Sequence, residues 1–161
     1  MGSVLVTPRL ELALLEPEPA RALAAGRTNG HRWASGYPLA STLLSAELTA
    51  AAAAQHRPLG EFGSYQVIRR ADGCVIGDVG FMGPPDDTGA VLLGCAITED
   101  ARGQGYATEA LSALLEWARC QSGLTCVLAD TTRSNLASQR LLERVGLHRI
   151  GEDGELLYYM L

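Results

Sequence analysis

The residues Ile97-Thr98-Glu99-Asp100-Ala101-Arg102-Gly103-Gln104-Gly105-Tyr106-Ala107 constrain this chain more than any other stretch, because they join two different periodicities through a glycine turn. Before the turn, Ala90 to Ile97 is a short apolar run bounded by turn residues, the pattern of a buried strand. After it, Tyr106 to Cys120 sets Ala107, Leu111, Leu114, Leu115 and Ala118 on one face, the spacing of a helix packed on a sheet. Glycines in such a turn let the backbone approach a ligand closely, and the helix start adds about half a unit of positive charge. The turn therefore predicts an anion site. Neither common phosphate motif accounts for it: no G-x-x-x-x-G-K-[ST] loop is present, and the dinucleotide fingerprint fails at its third glycine, where Tyr106-Ala107-Thr108 follow.

The rest of the chain alternates short apolar runs with longer helical patterns, without internal repeats or low-complexity linkers. This predicts one mixed α/β domain over residues 1–161, long enough to bury roughly 70% of its unfolded surface. Either Val4 to Val6 or Leu10 to Leu14 reads as the first strand, and Pro17 to Ala25 as a short helix closed by Gly26. Thr28 to Thr42 carries no clear period and reads as a long loop, while Ser45 to Gln55 contains an alanine run of high helix propensity. Tyr65 to Arg69, Val75 to Phe81 and Ala90 to Ile97 have short turn-rich links, which predicts an antiparallel meander. A strand at Thr125 to Ala129, a helix at Asn135 to Val145, and strands at Leu147 to Ile150 and Leu156 to Leu161 complete the reading.

Charge narrows the function classes. The formal net charge is −5 and all 13 basic side chains are Arg, so a general nucleic-acid binder is disfavoured and a cationic partner is easier to accommodate. With no Lys, Schiff-base chemistry and a phosphate-loop lysine are excluded. No apolar run approaches the ~20 residues that cross a bilayer and the first ten residues lack a signal peptide's apolar core, so a cytoplasmic chain without membrane contact is expected. Cys74, Cys95, Cys120 and Cys126 show no C-x-x-C spacing, and no metal site is expected.

At the glycine turn the sequence resembles the GNAT acyltransferase superfamily, whose [QR]-x-x-G-x-[GA] signature is met by Arg102, Gly105 and Ala107. A second element, Asn135-Leu136-Ala137-Ser138 running to Gly146-Leu147, resembles that family's N-x-x-[AS]-x(7)-G-[FL] helix and turn. The opening Thr7-Pro8-Arg9-Leu10-Glu11-Leu12 and Ser138 look like the branch that includes ribosomal-protein N-acetyltransferases, a branch whose acceptors vary. The resemblance implies a mixed, mostly antiparallel central sheet flanked by helices, with strands splayed apart at the cofactor site. It implies acetyl-CoA as co-substrate, with its pyrophosphate held by Arg102 and the amides of Gly103, Gln104, Gly105, Tyr106, Ala107 and Thr108. Ile97 would meet the pantetheine arm through its main chain, and Asn135 and Ser138 from one face of their helix, where i, i+3 spacing puts them together.

The implied reaction is acetyl transfer to a primary amine, of a small molecule or a protein N-terminus, by direct attack in a ternary complex without metal. The strand carboxylate used by several relatives has no equivalent in Val91 to Ala96, which is wholly non-ionisable. Asp78 is the remaining candidate for the base, a water chain to bulk being the other, and the phenol many relatives use falls at Leu142. Ser138 is the expected substitute for protonating the thiolate. Tyr158 and Tyr159 point to opposite faces of the last strand, so one of them could reach the site. Trp33 and Tyr37 are expected to wall the acceptor cleft, and Cys95 by alternation to face the core rather than serve as a nucleophile. A non-catalytic CoA-binding sensor or partner-binding module is the alternative, a phosphate-ligand domain a third possibility. The apolar terminus Leu156 to Leu161 fits an inner strand or a dimer surface, leaving monomer or homodimer open.

Overall fold

A computed structural model describes residues 2–28 and 30–161; Met1, and Asn29 within the expected loop, lie outside the described residues. In chain order the elements are β1 (Val4–Val6), β2 (Leu10–Leu14), α1 (Pro17–Ala24), β3 (Arg32–Trp33), α2 (Ala40–Ala54), β4 (Ser64–Arg69), β5 (Cys74–Phe81), β6 (Ala90–Ile97), α3 (Tyr106–Arg119), β7 (Cys126–Thr132), α4 (Leu136–Arg144), β8 (His148–Asp153) and β9 (Leu156–Met160). The strands form a sheet in the order β1-β2-β4-β5-β6-β7-β9-β8, with β3 added alongside β5. Pairing is antiparallel except between β6 and β7 and between β3 and β5.

Several boundaries differ from the sequence reading, each for a physical reason. Val4–Val6 and Leu10–Leu14 are both strands and pair as a hairpin, Leu5 opposite Leu12. The Thr28–Thr42 segment contains β3, too short to show a period, and the first residues of α2. That helix starts at Ala40 rather than Ser45 because Thr42 Oγ1 reaches back to accept the N–H of Leu39 at 3.1 Å, satisfying an otherwise orphaned donor. β7 and β8 extend to Thr132 and Asp153 because β9 pairs both to their ends at Leu156. Those polar ends carry no apolar alternation to mark them as strand.

Helices cover both faces of the sheet. α3 and α4 share one face, where Ala110, Leu111, Leu114, Leu115 and Ala118 bury against Leu10, Leu12, Val79, Val91 and Leu93 in the main core. Truncating a fully buried Leu such as Leu111 to Ala costs about 2–5 kcal/mol. On the other face, Leu15, Ala20, Leu23, Tyr37, Ala46, Ile68 and Val75 form a smaller core under α1 and α2. A one-residue bulge decides which β5 side chains reach which core. Val67 pairs with Gly77 but Ile68 with Val75, so Ile76 is extra. Strict alternation would set Val75 and Asp78 on opposite faces; the bulge brings both to the α1/α2 side.

β6 and β7 pair only at Ala90–Cys126, Val91–Val127 and Leu92–Leu128. Beyond that, β6 stays with β5 and β7 with β9, and the two parallel strands part. α3 begins just past the C-terminal end of β6 and α4 just past that of β7, so both helix N-termini stand at the open end of the divergence.

Candidate active site

The opening between β6 and β7 exposes main-chain groups in a regular pattern. Met82 N–H bonds Leu92 C=O at 3.1 Å and Thr98 N–H bonds Ile76 C=O at 2.8 Å, at the two ends of the β5–β6 ladder. Antiparallel ladders alternate hydrogen-bonded and non-hydrogen-bonded pairs. Cys95 opposite Val79 and Ile97 opposite Gly77 are therefore the non-bonded pairs. Their N–H and C=O groups point away from β5, into the gap that β7 has left. An extended amide-bearing chain can fill that gap as an added strand. The Ile97 carbonyl already accepts Arg102 Nε at 3.0 Å, which draws the guanidinium back over the end of the strand.

The glycine turn closes the same end. Gly103 and Gly105 have φ of 73° and 81°, in the left-handed region, and Gly105 is the N-cap of α3. The β1–β2 hairpin, nearly a hundred residues away in sequence, holds this turn in place. Arg9 donates Nη1 to the Gln104 carbonyl at 2.9 Å and Nε to Glu109 Oε2 at 2.6 Å, and its guanidinium stacks 4.6 Å from the Tyr106 ring centroid. Thr7 Oγ1 and the Arg9 N–H both donate to the other Glu109 oxygen, at 2.6 and 2.9 Å. Burial pushes the Glu109 carboxyl up, but these bonds and the Arg9 charge outweigh it and hold it below its usual range. Arg70 donates to the carbonyls of Thr7 and Pro8 and fixes the hairpin from the other side. Sequence reasoning missed Arg9, Arg70 and Glu109 as parts of the turn; Thr7 and Arg9 entered only within a family-like opening, and nothing local links them to Glu109.

On the α1/α2 face, a cleft of about 250 Å³ lies beside β6, walled by Ser41, Leu44 and Ser45 of α2, Asp78 of β5, Leu92, Gly94 and Ala96 of β6, and Asp130 of β7. Asp78 is buried there. Its Oδ1 accepts the Tyr37 phenol at 2.9 Å and its Oδ2 accepts the Thr42 hydroxyl. Gln66 Nε2 donates to the Tyr37 oxygen at 3.0 Å, which leaves the phenol proton for Asp78. Burial pushes the Asp78 carboxyl up to about 6, while the Thr42 and Tyr37 bonds pull it part of the way back. A carboxyl titrating near neutrality at the edge of a cleft has the properties of a general base.

The remaining sequence candidates separate clearly. Asn135 caps α4, its Oδ1 accepting the Ser138 N–H at 3.1 Å; both residues stand at the helix N-terminus beyond the end of β7. Tyr158 pairs with Asp130 across β7 and β9, on the sheet face that carries the cleft, whereas Tyr159 is buried in the main core. Trp33 and Tyr37 are not among the cleft-lining residues. Their rings meet edge to face at 5.7 Å and pack with the smaller core, and the Trp33 indole N–H is buried without a partner among the described residues. Cys95 packs against the main core, where burial and then the Asp78 charge push its thiol up to about 12, an inert thiol rather than a nucleophile. Asp130, which sequence reasoning passed over, is solvent-exposed on the cleft's β7 side.

Parted parallel strands and a glycine turn capping a helix are a fold-level signature, and residues 9–148 match the acetyltransferase (GNAT) domain family. The chain belongs to the GNAT family. Among curated proteins, the uncharacterised N-acetyltransferase YjdG of Bacillus subtilis (strain 168) is 30% identical over 100 residues, and the match spans 60% of this chain and 60% of that protein. Among solved structures, RimL, a ribosomal L7/L12 alpha-N-protein acetyltransferase in complex with coenzyme A, aligns with a TM-score of 0.71 at 15% identity, over 99% of this chain and 97% of that one. The ribosomal-protein-S5-alanine acetyltransferase from Vibrio fischeri aligns with a TM-score of 0.70 at 13% identity, over 99% and 96%. At those identities the likeness is one of fold. GNAT proteins use acetyl-CoA as co-substrate, and the residues here suit it: outward amides on β6 for its pantetheine arm, and Arg102 with the α3 N-terminus for its phosphates. Among the described residues no cluster of His, Cys, Asp or Glu is gathered to hold a metal ion.

Proposed function

We propose that the chain is an acetyl-CoA-dependent N-acetyltransferase that moves an acetyl group to a primary amine by direct attack in a ternary complex. The observation that carries this reading is the pair of outward-facing main-chain groups at Cys95 and Ile97, ending at the N-terminus of α3, which Gly105 opens without a side-chain cap. Acetyl-CoA supplies the activated acyl group as a thioester. Arg102 and the amides of Gly103 to Thr108 hold its phosphates; Ile97, Asn135 and Ser138 guide the arm. An N–H at the end of β6 polarises the acyl oxygen.

An amine arrives mostly as ammonium at neutral pH. Asp78 takes its proton, directly or through water. The neutral nitrogen then forms the C–N bond as the C–S bond breaks. A second proton leaves the nitrogen, the departing thiolate takes one up, and one proton is released overall. Two hydroxyls stand toward the β7 side to supply the thiolate: Ser138 at the start of α4, and Tyr158 opposite Asp130. Trp33 and Tyr37 act on the acceptor side through the packing that holds α2 and Asp78, rather than as bare walls. All four cysteines are free thiols, in keeping with a reducing cytoplasmic setting.

Thiol release from acetyl-CoA, followed with a panel of amines, tests the reading. Amine-dependent release supports it. Acetyl-CoA raising the melting temperature with no amine accelerating release would instead identify a non-catalytic CoA-binding module. Arg102→Ala weakens coenzyme A binding strongly, whereas Ser138→Ala and Tyr158→Phe, compared for turnover at unchanged cofactor affinity, identify the proton donor.

A further inference from the structure

Resting on that reading, we infer that the acceptor is a primary amine attached to an apolar body, and that Asp130 holds its ammonium group before transfer. Three large apolar side chains of the cleft stand in solvent: Leu44 is 61% exposed, Met82 51% and Leu92 36%. Exposed Leu and Met gathered along one cleft mark a surface that is covered when a ligand binds. Between them the floor is open, because a Cβ placed on Gly94 meets nothing within 4 Å.

The polar groups of the cleft are few. Ser41, Ser45 and Ser64 supply hydroxyls, Cys95 a thiol that burial keeps neutral, and the two carboxylic side chains are Asp78 and Asp130. Asp78 is buried and each of its oxygens already accepts one hydrogen bond, from Tyr37 and Thr42, so it is the less accessible of the two for the first encounter with a cation. Asp130 is exposed, and its carboxylate has no ion pair or hydrogen bond among the described residues. It lies on β7, across the divergence from Gly94 and Ala96 of β6. A single cation therefore finds one available carboxylate beside an apolar wall. A polyamine would need further carboxylates that the lining lacks, and a sugar amine more hydrogen-bonding groups than three serines offer.

Free arylalkylamines and peptides with an apolar N-terminal residue share this chemistry, and the assay separates them. Thiol release is measured with phenethylamine, a Phe-initiated peptide, spermidine and glucosamine. The expected result is a kcat/KM for phenethylamine or the peptide at least about tenfold above spermidine and glucosamine; the better of the two identifies the source. Asp130→Asn raises the amine KM about tenfold, more than it lowers kcat, and leaves the acetyl-CoA KM in place. In the unmodified protein the amine KM should rise with ionic strength, and Asp130→Asn should remove that rise, a readout that a purely structural role would not move. Leu44→Glu, on the exposed face of α2, narrows the preference for phenethylamine over spermidine. Preference for spermidine or glucosamine, or an unchanged amine KM in Asp130→Asn, overturns the inference while leaving the transferase reading intact. Release unaffected by every amine, with acetyl-CoA still bound, removes the transferase reading and the inference with it.

Discussion

Tyr37 and Asp78, 41 residues apart in the chain, share a buried hydrogen bond of 2.9 Å from phenol to carboxyl. Gln66 holds the phenol oxygen from behind, and Thr42 occupies the other carboxyl oxygen while accepting the N–H that opens α2. One side chain of β5 is thus tied to the segment before α2 and to the first turn of that helix. The tie positions the α2 wall of the cleft.

The network makes stability depend on pH with a definite sign. Asp78 titrates at about 6 in the folded chain against an ordinary 3.8, so the folded state binds this proton more tightly than the unfolded one. Its contribution is fully present below about pH 4 and is lost as pH rises through about 6, by about 3 kcal/mol at most. Asp78→Asn removes this dependence. Melting temperatures from pH 4 to 8 should show the unmodified protein falling relative to Asp78→Asn across that window; parallel curves would contradict the assignment. With Asp78 in its proposed role as base, turnover is expected to move the opposite way, rising through about pH 6 as that carboxyl loses its proton.

Tyr37→Phe deletes one hydrogen bond to the carboxylate and leaves Gln66 facing an apolar ring edge. Loss of a donor disfavours the charged form, so the apparent pKa of kcat/KM shifts upward. The variant is destabilised by about 1–3 kcal/mol. Denaturant unfolding and a pH–rate profile check the two halves separately.

Arg9→Ala should loosen the glycine turn without touching the cofactor's own contacts. The substitution removes the bonds to Gln104 and Glu109 and the stacking on Tyr106. Because the guanidinium is half exposed, the expected stability loss is modest, about 1–2 kcal/mol. Coenzyme A affinity, measured by titration calorimetry, should fall by about three- to tenfold. An unchanged affinity would show that the hairpin does not order the turn.

Gly94→Leu fills the floor of the cleft. The residue has ordinary strand geometry and open space at its Cβ, so the fold accepts a side chain there. Melting temperature should hold within a few degrees while kcat/KM for any amine falls by more than about tenfold. Retained activity would place the acceptor elsewhere.

The sequence by itself determined the parts whose signal is local. The glycine turn between Ile97 and Tyr106, four of the five buried positions of α3 (Leu111, Leu114, Leu115 and Ala118; Ala110 is buried where the spacing predicts Ala107) and the helix that starts after Asn135 are each written within a few residues, because turns and helical faces depend on near neighbours. Only the tertiary structure decided the rest. The bulge at Ile76 sets which face Asp78 takes, pairing with β7 sets the face of Tyr158, and the contact of Arg9 with Glu109 crosses 100 residues. A strand's side-chain parity reverses with a single inserted residue, and a long-range ion pair leaves no periodic trace. The chemistry of the turn is therefore legible in the chain, while the cleft proposed for the acceptor exists only once β5, β7 and α2 have been brought together.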